Sequence, residues 1–404
     1  MPLHFWDAFA VFLQILLFLV AIYYLGIALF SLFPPREKSG KDQQYRFAIV
    51  IPAHNEASVL PGLLQSLIEQ EYSKNDYQVF VIADRCTDNT ETVAKNYGAT
   101  VLHRQQDGLT GKGAALTDAF AQIDAIHHSF DAFIVIDADN IVDTRFLLEI
   151  NHAMQQGNQA VQGYIDSKNP NDSWVSHSYS IWYWITNRIL QMGFDRLGIG
   201  AKLGGTGFAL SKTLLDKIPW KTNTIAEDTE YTTQLALASY KVAYAHKAIV
   251  YDEKPTSLRS SVPQRARWAS GITEVQRDLC GKLFFAGKWN AFLRFWSDLL
   301  MPLTFFLFLL IDVFSVLHLC QIATFSFVSF WTIPLPFLLL NFYLLGMTFS
   351  TLYGLIQDKK CNGKLLLNLF GFLIYLASWI PAGVIGILNH SKKEWYHTKH
   401  KSGN

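Results

Sequence analysis

Two aspartates end an apolar run in the first half of the sequence, where they could bind a metal ion. The run AFIVI (132–136) is uncharged and rich in β-branched residues, so it predicts a buried strand, and Asp137 and Asp139 follow it. Two carboxylates one residue apart at the end of a strand can bind a divalent cation that takes its other ligands from phosphates and water. A helix N-cap followed by a solvated turn is the alternative interpretation.

A second acidic pair, Glu227 and Asp228, lies in the polar segment TNTIAEDTEYT (222–232). A carboxylate there can act as a general base that takes a proton from an attacking hydroxyl. The same residues can also cap a helix that begins near Thr229, and the pattern alone leaves both interpretations open.

The segment QRARW (264–268) combines two arginines with a tryptophan. Paired guanidinium groups can bind a pyrophosphate through bidentate hydrogen bonds, and an indole face can stack on a sugar ring. A juxtamembrane basic patch for anionic lipid is the alternative. The aromatic-rich segment 174–192 can line an acceptor groove or dock the domain on the membrane.

Strands and helices alternate around these residues, which predicts a parallel sheet with right-handed crossovers. In such sheets ligands bind beyond the carboxyl ends of the strands. The polar residues cluster at those ends, at 52–56, 84–90 and 137–140, and so indicate a nucleotide site. The predicted strands are 47–52, 77–83, 99–103 and 132–136, and the predicted helices are 54–71, 90–97 and 111–123.

Charge is unevenly distributed along the 404 residues. The charged fraction of 17 % is low for a soluble protein, and half of the residues are hydrophobic, which excludes a disordered chain. The net charge of +1 argues against a nucleic-acid partner. Three runs carry no charge, Ala8–Pro35, Val313–Gln357 and Leu365–Ser391, so we expect a polar domain between two membrane regions.

The flanks of the first apolar run predict its orientation. Arg36, Lys38 and Lys41 follow it and no Lys or Arg precedes it, so the positive-inside rule places the N-terminus outside and the domain in the cytoplasm. Two further spans are predicted at about 299–320 and 326–355. Between domain and spans, 283–296 predicts an interfacial helix whose Lys288 and Arg294 reach lipid headgroups, with an ordinary amphipathic surface helix as the alternative.

The last apolar run, 365–389, gives conflicting signals. Its hydropathy favours a crossing, but a crossing would place four lysines of the tail outside. Pro381 and Gly383 interrupt the run, as in a bent segment that does not cross. We therefore expect an interfacial or re-entrant helix with a cytoplasmic tail.

Taken in order, the motifs resemble those of the membrane-bound, inverting glycosyltransferases of family 2, which include cellulose, chitin and hyaluronan synthases. The resemblance covers about 45–280, and the flanking spans match the family architecture. The tail segment Trp395–Lys399 is similar to the W-x-x-T-x-basic gating segment of these synthases. The matching motifs are PAHNE (52–56), Asp84, GKGAAL (111–116), DAD (137–139), GGTGF (204–208), AED (226–228) and QRARW (264–268).

The resemblance implies a GT-A fold, an α/β Rossmann-like cytoplasmic domain, joined to transmembrane and interfacial helices. It implies that Asp228, with Glu227 beside it, is catalytic and that Asp139 binds Mn²⁺ or Mg²⁺. Trp268, Gly205 and Thr206 would contact the acceptor, and Trp395, Thr398 and Lys399 would form the gate. The residues implied for the UDP-sugar are Ala53, Glu56, Asp84, Lys112, Asp137, Gln264, Arg265 and Arg267.

The expected activity is sugar transfer from a UDP-sugar, with inversion, to a growing polysaccharide that the protein extrudes. Transfer to a membrane lipid without polymerisation is the alternative. Membrane lipids are the other expected partners, and the inner or plasma membrane is the expected location. The expected division of the chain is a first span (1–35), the catalytic domain (36–280), an interfacial helix (281–297), two spans (298–356), the last apolar segment (365–390) and a tail (391–404).

Overall fold

The computed structural model of the chain describes residues 5–33, 43–105, 111–126, 130–361, 363 and 368–388. Its strands are β1 (Phe47–Ala53), β2 (Tyr77–Ala83), β3 (Thr100–His103), β4 (Ala132–Val135), β5 (Ile141–Val142), β6 (Ala160–Ser167), β7 (Phe208–Ser211) and β8 (Val242–Asp252). They form one sheet in the order β3-β2-β1-β4-β7-β6-β8-β5.

Some of the α-helices cover the sheet, and the long apolar ones form a separate layer. They are α1 (Phe5–Phe30), α2 (Leu60–Ile68), α3 (Thr90–Asn96), α4 (Lys112–Ile126), α5 (Phe146–Gln155), α6 (Trp174–Ile185), α7 (Met192–Arg196), α8 (Lys212–Lys217), α9 (Glu227–Leu237), α10 (Leu258–Val275), α11 (Gly281–Phe285), α12 (Trp289–Leu319), α13 (Pro334–Gln357), α14 (Leu369–Ala377) and α15 (Trp379–Leu388). Short 3₁₀ helices occur at Lys74–Asp76 and Ser326–Thr332, and π-helical turns at Thr186–Gln191 and Gln276–Cys280.

The first four strands form the parallel, Rossmann-like half that the sequence predicts. Strand β1 pairs in parallel with β2 and with β4, and β2 pairs in parallel with β3. Helix α2 is shorter than the predicted helix over 54–71. Residues 54–59 instead form the turn after β1, where Asn55 has a φ of 58°.

The second half of the sheet is mixed rather than parallel. Strand β7 runs antiparallel to both β4 and β6, and β5 runs antiparallel to β8. Strand β7 starts beside the carboxyl end of β4, because the two strands are antiparallel. The glycine-rich segment before β7 therefore lies beside the residues that follow β4. The N–H of Gly207 donates to the Val135 carbonyl at 2.9 Å, which fixes this approach.

Apolar side chains fill both faces of the sheet. Ile49 and Ile51 of β1 face one core, and Val50 between them faces the other with Phe80 and Phe133. All five are buried. The strands are therefore held from both sides, and the polar residues at their carboxyl ends are carried on a rigid support.

Four helical stretches are long and apolar enough to cross a membrane: Phe5–Phe30, Leu300–Leu319, Pro334–Gln357 and Phe370–Leu388. The first three pack on one another through a ring cluster. Phe18 contacts Phe308 and Tyr343, with ring centroids 5.3 and 6.0 Å apart, and Phe308 contacts Trp331 at 5.6 Å.

The ends of α1 and α13 attach this helical layer to the domain. Arg188 pairs with Asp358, just past α13, at 3.0 Å, and Lys360 pairs with Asp166 of β6. The residues just past α13 therefore lie against the domain.

The structure differs from the interfacial helix predicted over 283–296. Helix α11 ends at Phe285, the chain turns at Gly287 with a φ of 68°, and α12 begins at Trp289 and continues into the apolar stretch. Arg294 does not reach outward as predicted, because its side chain is buried and its Nη1 donates to two backbone carbonyls of the domain at 2.7 Å. Lys288 donates to Ser239 of the domain.

The last apolar run folds as two short helices, α14 and α15, with a break at Ser378. Helix α14 packs on α6, and α15 packs along α10. The contact with α10 is close, since a Cβ at Gly386 would lie 2.4 Å from the Ala266 carbonyl oxygen. The run therefore lies against helices of the catalytic domain along its described length.

Candidate active site

A cavity of about 920 Å³ opens at the carboxyl ends of β1, β2 and β4 and extends to the membrane-side helices. Of the residues predicted for the site, it brings together Ala53, Glu56, Asp84, Lys112, Asp137, Asp139, Gly205, Thr206, Glu227, Asp228, Gln264, Arg267 and Trp268. Arg265 does not line it. Trp395, Thr398 and Lys399 lie outside the described residues.

Asp84 marks one end of the cavity, directly after β2. Arg104 donates to its Oδ2 at 3.1 Å, and the Asp84 carbonyl contacts the Nδ1 of His54 at 2.6 Å. Within the described residues, the buried Oδ1 of Asp84 has no hydrogen-bond partner. An oriented carboxylate oxygen is thus available to accept an N–H or O–H from a ligand.

The ammonium of Lys112 lies at the centre of the cavity. It pairs with Asp137, donates to the Gly205 carbonyl at 2.6 Å and lies 3.9 Å from the Glu227 carboxylate. Burial alone would lower the pKa of Lys112, but the neighbouring carboxylates outweigh burial and raise it. The lysine therefore stays charged and links three separate segments of the chain.

Asp139 lies in the cavity wall with oxygen-rich surroundings. The amide nitrogen of Asn140 donates to Asp139 at 2.9 Å and to Asp252 at 3.1 Å, which holds the two carboxylates near one another. Lys254 donates to the second oxygen of Asp252. Hard carboxylate oxygens suit Mg²⁺ or Mn²⁺.

No cluster of three or more acidic, His or Cys ligands occurs in the described part of the chain. The residues at Asp139 therefore fit a cation that is only partly enclosed by protein and takes further ligands from a diphosphate and water.

Glu227 and Asp228 lie in the first turn of α9, whose N-cap residue is Ala226 and which has no side-chain cap hydrogen bond, so the capping alternative is not what the structure shows. The helix begins at Glu227, and Asp228 Oδ1 accepts from the Thr229 N–H at 2.7 Å. Both side chains also line the cavity. Burial raises the pKa of each carboxyl, and Lys112 opposes the rise in both cases.

Helix α10 carries the QRARW segment and directs its side chains to different surroundings. Gln264, Arg267 and Trp268 line the cavity, and Gln264 Oε1 accepts from the Tyr179 hydroxyl at 3.0 Å. The other face of the helix packs on α15. Close packing also joins α10 to the acidic pair, since a Cβ at Gly271 would lie 2.6 Å from the Ala226 nitrogen.

Arg265, predicted to bind pyrophosphate beside Arg267, is fully buried on the opposite side of α10. Its guanidinium donates to the Tyr375 carbonyl at 3.3 Å and to Ser378 Oγ at 2.8 Å, and it lies 4.6 and 5.2 Å from the ring centroids of Tyr375 and Trp379. Residues two positions apart in an α-helix point in directions that differ by about 200° around the helix axis. Arg265 and Arg267 therefore cannot easily bind the same ligand. Arg265 therefore ties α10 to the break between α14 and α15.

Several cavity residues were not identified from the sequence as site residues. The aromatic segment 174–192 both lines the cavity, with Trp182 and Tyr183, and packs on α14 through Tyr179. Helix α12 adds Arg294 and Asp298, and the loop before β7 adds Lys202. The sequence signal for Arg294 and Asp298 was their spacing, since two charged residues four positions apart near the start of an apolar helix lie on one face of it.

The sequence model of the family described as "Glycosyltransferase like family 2" matches residues 44–271. The probable glycosyltransferase YdaM of Bacillus subtilis is 24 % identical over 62 % of this chain and 60 % of its own length. A beta-monoglucosyldiacylglycerol synthase of Synechocystis is 25 % identical over 87 % of this chain and 74 % of its own. A poly-beta-1,6-N-acetyl-D-glucosamine synthase of Staphylococcus epidermidis is 23 % identical over 59 % of this chain and 57 % of its own. The chain thus spans about three fifths of two of these relatives.

Among solved structures, the mannosyltransferase PcManGT of Pyrobaculum calidifontis, in complex with GDP-Man and Mn²⁺, superposes with a TM-score of 0.54 at 17 % identity. The match covers 86 % of this chain and 99 % of that one. At this identity the likeness concerns the fold, which is GT-A with added helices.

The contrast between the two arginines of α10 can be measured directly. We expect Arg265→Gln to lower the unfolding free energy by about 2–3 kcal/mol, because it removes charge-assisted hydrogen bonds to buried acceptors. Arg267→Gln, two residues away in the cavity wall, should leave the unfolding temperature nearly unchanged. Thermal unfolding of the purified protein in detergent checks both, and an equal fall in the two variants would contradict the assignment.

Proposed function

The chain belongs to glycosyltransferase family 2, and we propose that it transfers a sugar from a UDP-sugar to an acceptor hydroxyl with inversion at the anomeric carbon. One observation carries the proposal. A single cavity joins strand-end carboxylates suited to a nucleotide diphosphate, the half-buried carboxylate of Asp228, and an aromatic end formed by membrane-side helices.

The donor would occupy the strand-end part of the cavity. Ala53 ends β1 there and Glu56 follows it, and the Asp84 oxygen that has no partner among the described residues can accept the imide N–H of uracil. Gln264 and Arg267 face the same space from α10, where amide and guanidinium groups would bind the diphosphate. Asp137 would contact the donor beside Lys112.

Asp139 is the residue that would hold Mn²⁺ or Mg²⁺. When bound, the cation would supply neutralisation of charge on the departing diphosphate. The protein's own cations act on the same charge, because Lys112 and Arg267 line the cavity next to Asp139. Binding of a diphosphate would give Lys112 a third anionic partner in addition to Asp137 and Glu227.

Asp228 would be the general base. The acceptor oxygen forms a bond to the anomeric carbon while the bond from that carbon to the diphosphate oxygen breaks, and UDP leaves with the electron pair. The acceptor proton goes to the Asp228 carboxylate. Because burial raises the pKa of this carboxyl above its ordinary value, the ionised group is a stronger base than an exposed aspartate.

Glu227 would act through Lys112 rather than on the substrate. Its carboxylate lies 3.9 Å from the lysine ammonium, and the lysine reaches both the end of β4 and the glycine-rich loop. The Lys112–Glu227 ion pair would therefore fix the positions of Asp137, Gly205 and Asp228 relative to one another. Thr206 contributes to the same loop, since its hydroxyl accepts from the Asp137 N–H at 3.0 Å.

The growing end of a polysaccharide is the proposed acceptor. Trp268, Trp182 and Trp379 line the cavity, with ring centroids 6.2 and 6.5 Å apart between neighbours. Adjacent indole rings provide flat apolar faces for successive sugar rings. The Staphylococcus relative, named for a polymer product, is consistent with this proposal.

A membrane lipid is the second candidate acceptor. The far end of the cavity is apolar and is formed by Phe295, Trp296, Gly383 and Ile387 of the membrane-side helices. The relative named for glucosyldiacylglycerol synthesis matches over most of this chain. An acyl chain could lie at this end while a headgroup hydroxyl reaches Asp228.

The proposed placement is an integral protein of the inner or plasma membrane with a cytoplasmic domain and tail and an external N-terminus. The flanking charges support this orientation, and so does the attachment of Asp358 and Lys360 to the domain. Helices α14 and α15 have 9 and 10 residues and lie on α6 and α10. That packing favours an interfacial position for the last apolar run.

Removing the proposed base should abolish most of the turnover. Asp228→Asn keeps the shape of the side chain but cannot accept the proton, so we expect kcat to fall by about 10²–10⁴-fold. Release of UDP from a UDP-sugar by purified protein measures it. Asp278→Asn, an exposed carboxylate beyond α10, is the control and should keep wild-type turnover.

The product identifies the acceptor. Purified protein in lipid nanodiscs, given labelled UDP-glucose or UDP-N-acetylglucosamine with Mn²⁺, should yield a polymer that a glycosidase shortens, and EDTA should stop its synthesis. A glycolipid with one sugar and no polymer would instead establish the lipid acceptor. Turnover with GDP-mannose alone would contradict the proposed donor.

Native cysteines give a direct test of the orientation. Exposed Cys320 follows α12 and exposed Cys361 follows α13, so an impermeant maleimide should label only Cys320 in intact cells and both after lysis. In a Cys320→Ser background, a Ser402→Cys variant should also require lysis. Labelling of that variant in intact cells would show that the last run crosses the membrane.

A further inference from the structure

Helix α12 places two charged side chains, one turn apart, against the cavity. Arg294 and Asp298 are four positions apart and so lie on one face of the helix. Arg294 donates to the carbonyls of Gly200 and Ala201, at 2.7 Å in both cases. Asp298 forms an ion pair with Lys202. The helix thus holds the short segment 200–202 through both a cation and an anion.

The backbone of Lys202 is fixed from the opposite side. Its N–H donates to the Gln191 side chain at 2.9 Å, and the Gln191 amide donates back to the Lys202 carbonyl at 2.9 Å. Gln191 is buried and ends the π-helical turn Thr186–Gln191. Such turns occur often at functional sites, because they redirect one side chain out of helical register. The lysine is therefore anchored at its backbone as well as at its ammonium.

Lys202 shares the cavity with Asp228. Burial raises the pKa of Asp228, whereas the positive charges of Lys202 and Lys112 lower it, so Lys202 is one of two cations that favour the ionised base. Asp298 Oδ1 is buried and has no hydrogen-bond partner within the described chain. The other charged or titratable groups around Asp228 are Glu227 on its own helix, Asp137 after β4, Tyr183 on α6 and Arg267 on α10.

We propose that Asp298 is a positioning residue for the base, because its ion pair with Lys202 keeps the ammonium in the cavity that Asp228 lines but holds it back from a direct ion pair with the Asp228 carboxylate. The inference rests on the proposed function, in which Asp228 takes the acceptor proton. Through this pair, the first helix after the domain sets the protonation of a group in the catalytic domain.

The two residues of the pair should shift the pH profile in opposite directions. In Asp298→Asn, Lys202 is free to pair with Asp228, so the carboxylate is stabilised and the acid limb of kcat moves to lower pH. In Lys202→Met a cation is lost, the neutral carboxyl is favoured, and the limb moves to higher pH. We expect each shift to be about one pH unit. The double variant should behave as Lys202→Met does, because Asp298 acts through the lysine.

Matched variants separate positioning from loss of structure. Lys202→Arg keeps the cation and should restore the limb close to its wild-type position. Asp312→Asn removes another carboxylate of α12, which pairs with Asn341 away from the cavity, and should leave the profile unchanged.

UDP release measured from pH 5 to 7 in nanodiscs gives these profiles, because burial lowers the pKa of Lys202 to about 8 and the lysine loses its charge above that range. If Asp298→Asn and Lys202→Met shift the limb in the same direction, or not at all, while Asp228→Asn is inactive, the positioning role is overturned and the proposed function stands. Wild-type turnover in Asp228→Asn would overturn the base itself, and the inference with it.

Discussion

The candidate site depends on one buried ammonium, that of Lys112. It is shared by Asp137 after β4, by the carbonyl of Gly205 before β7 and by Glu227 at the start of α9. These two carboxylates and the carbonyl would repel one another without a cation between them, and burial would lower the pKa of Lys112 if the carboxylates did not oppose it. The arrangement therefore exists only as a whole, and it brings Asp228 to a fixed place relative to the strand ends.

Helix α10 extends this arrangement towards the membrane. One face contributes Gln264, Arg267 and Trp268 to the cavity, while Gly271 lets the helix approach the residue before Glu227. The opposite face receives α15, and Arg265 satisfies the carbonyl at the end of α14. A cation at a helix C-terminus is favourable because it offsets the helix dipole. One face of α10 thus lines the cavity, and the opposite face contacts the last apolar helices.

Local patterns predicted the parallel half of the sheet and the strand-end acids, because a buried strand and the polar turn after it are encoded by adjacent residues. Strand β2 has the predicted bounds, and Asp137 and Asp228 share one cavity. The role of Arg265, the direction of β7 and the burial of Arg294 could not be predicted. Each of these three features depends on contacts with residues far away in the sequence, and the local pattern of apolar and polar residues carries no information about such contacts.

The packing of α15 on α10 has a consequence for biogenesis. Trp379 and Ile387 complete a cavity whose other walls come from segments made much earlier in synthesis. During translation, the domain can build its sheet and close its ion pairs while one side of the cavity is still open to water. The cavity is therefore complete only after α14 and α15 have emerged and docked. Because α14 and α15 follow the domain in the sequence, the domain can fold before its cavity is complete.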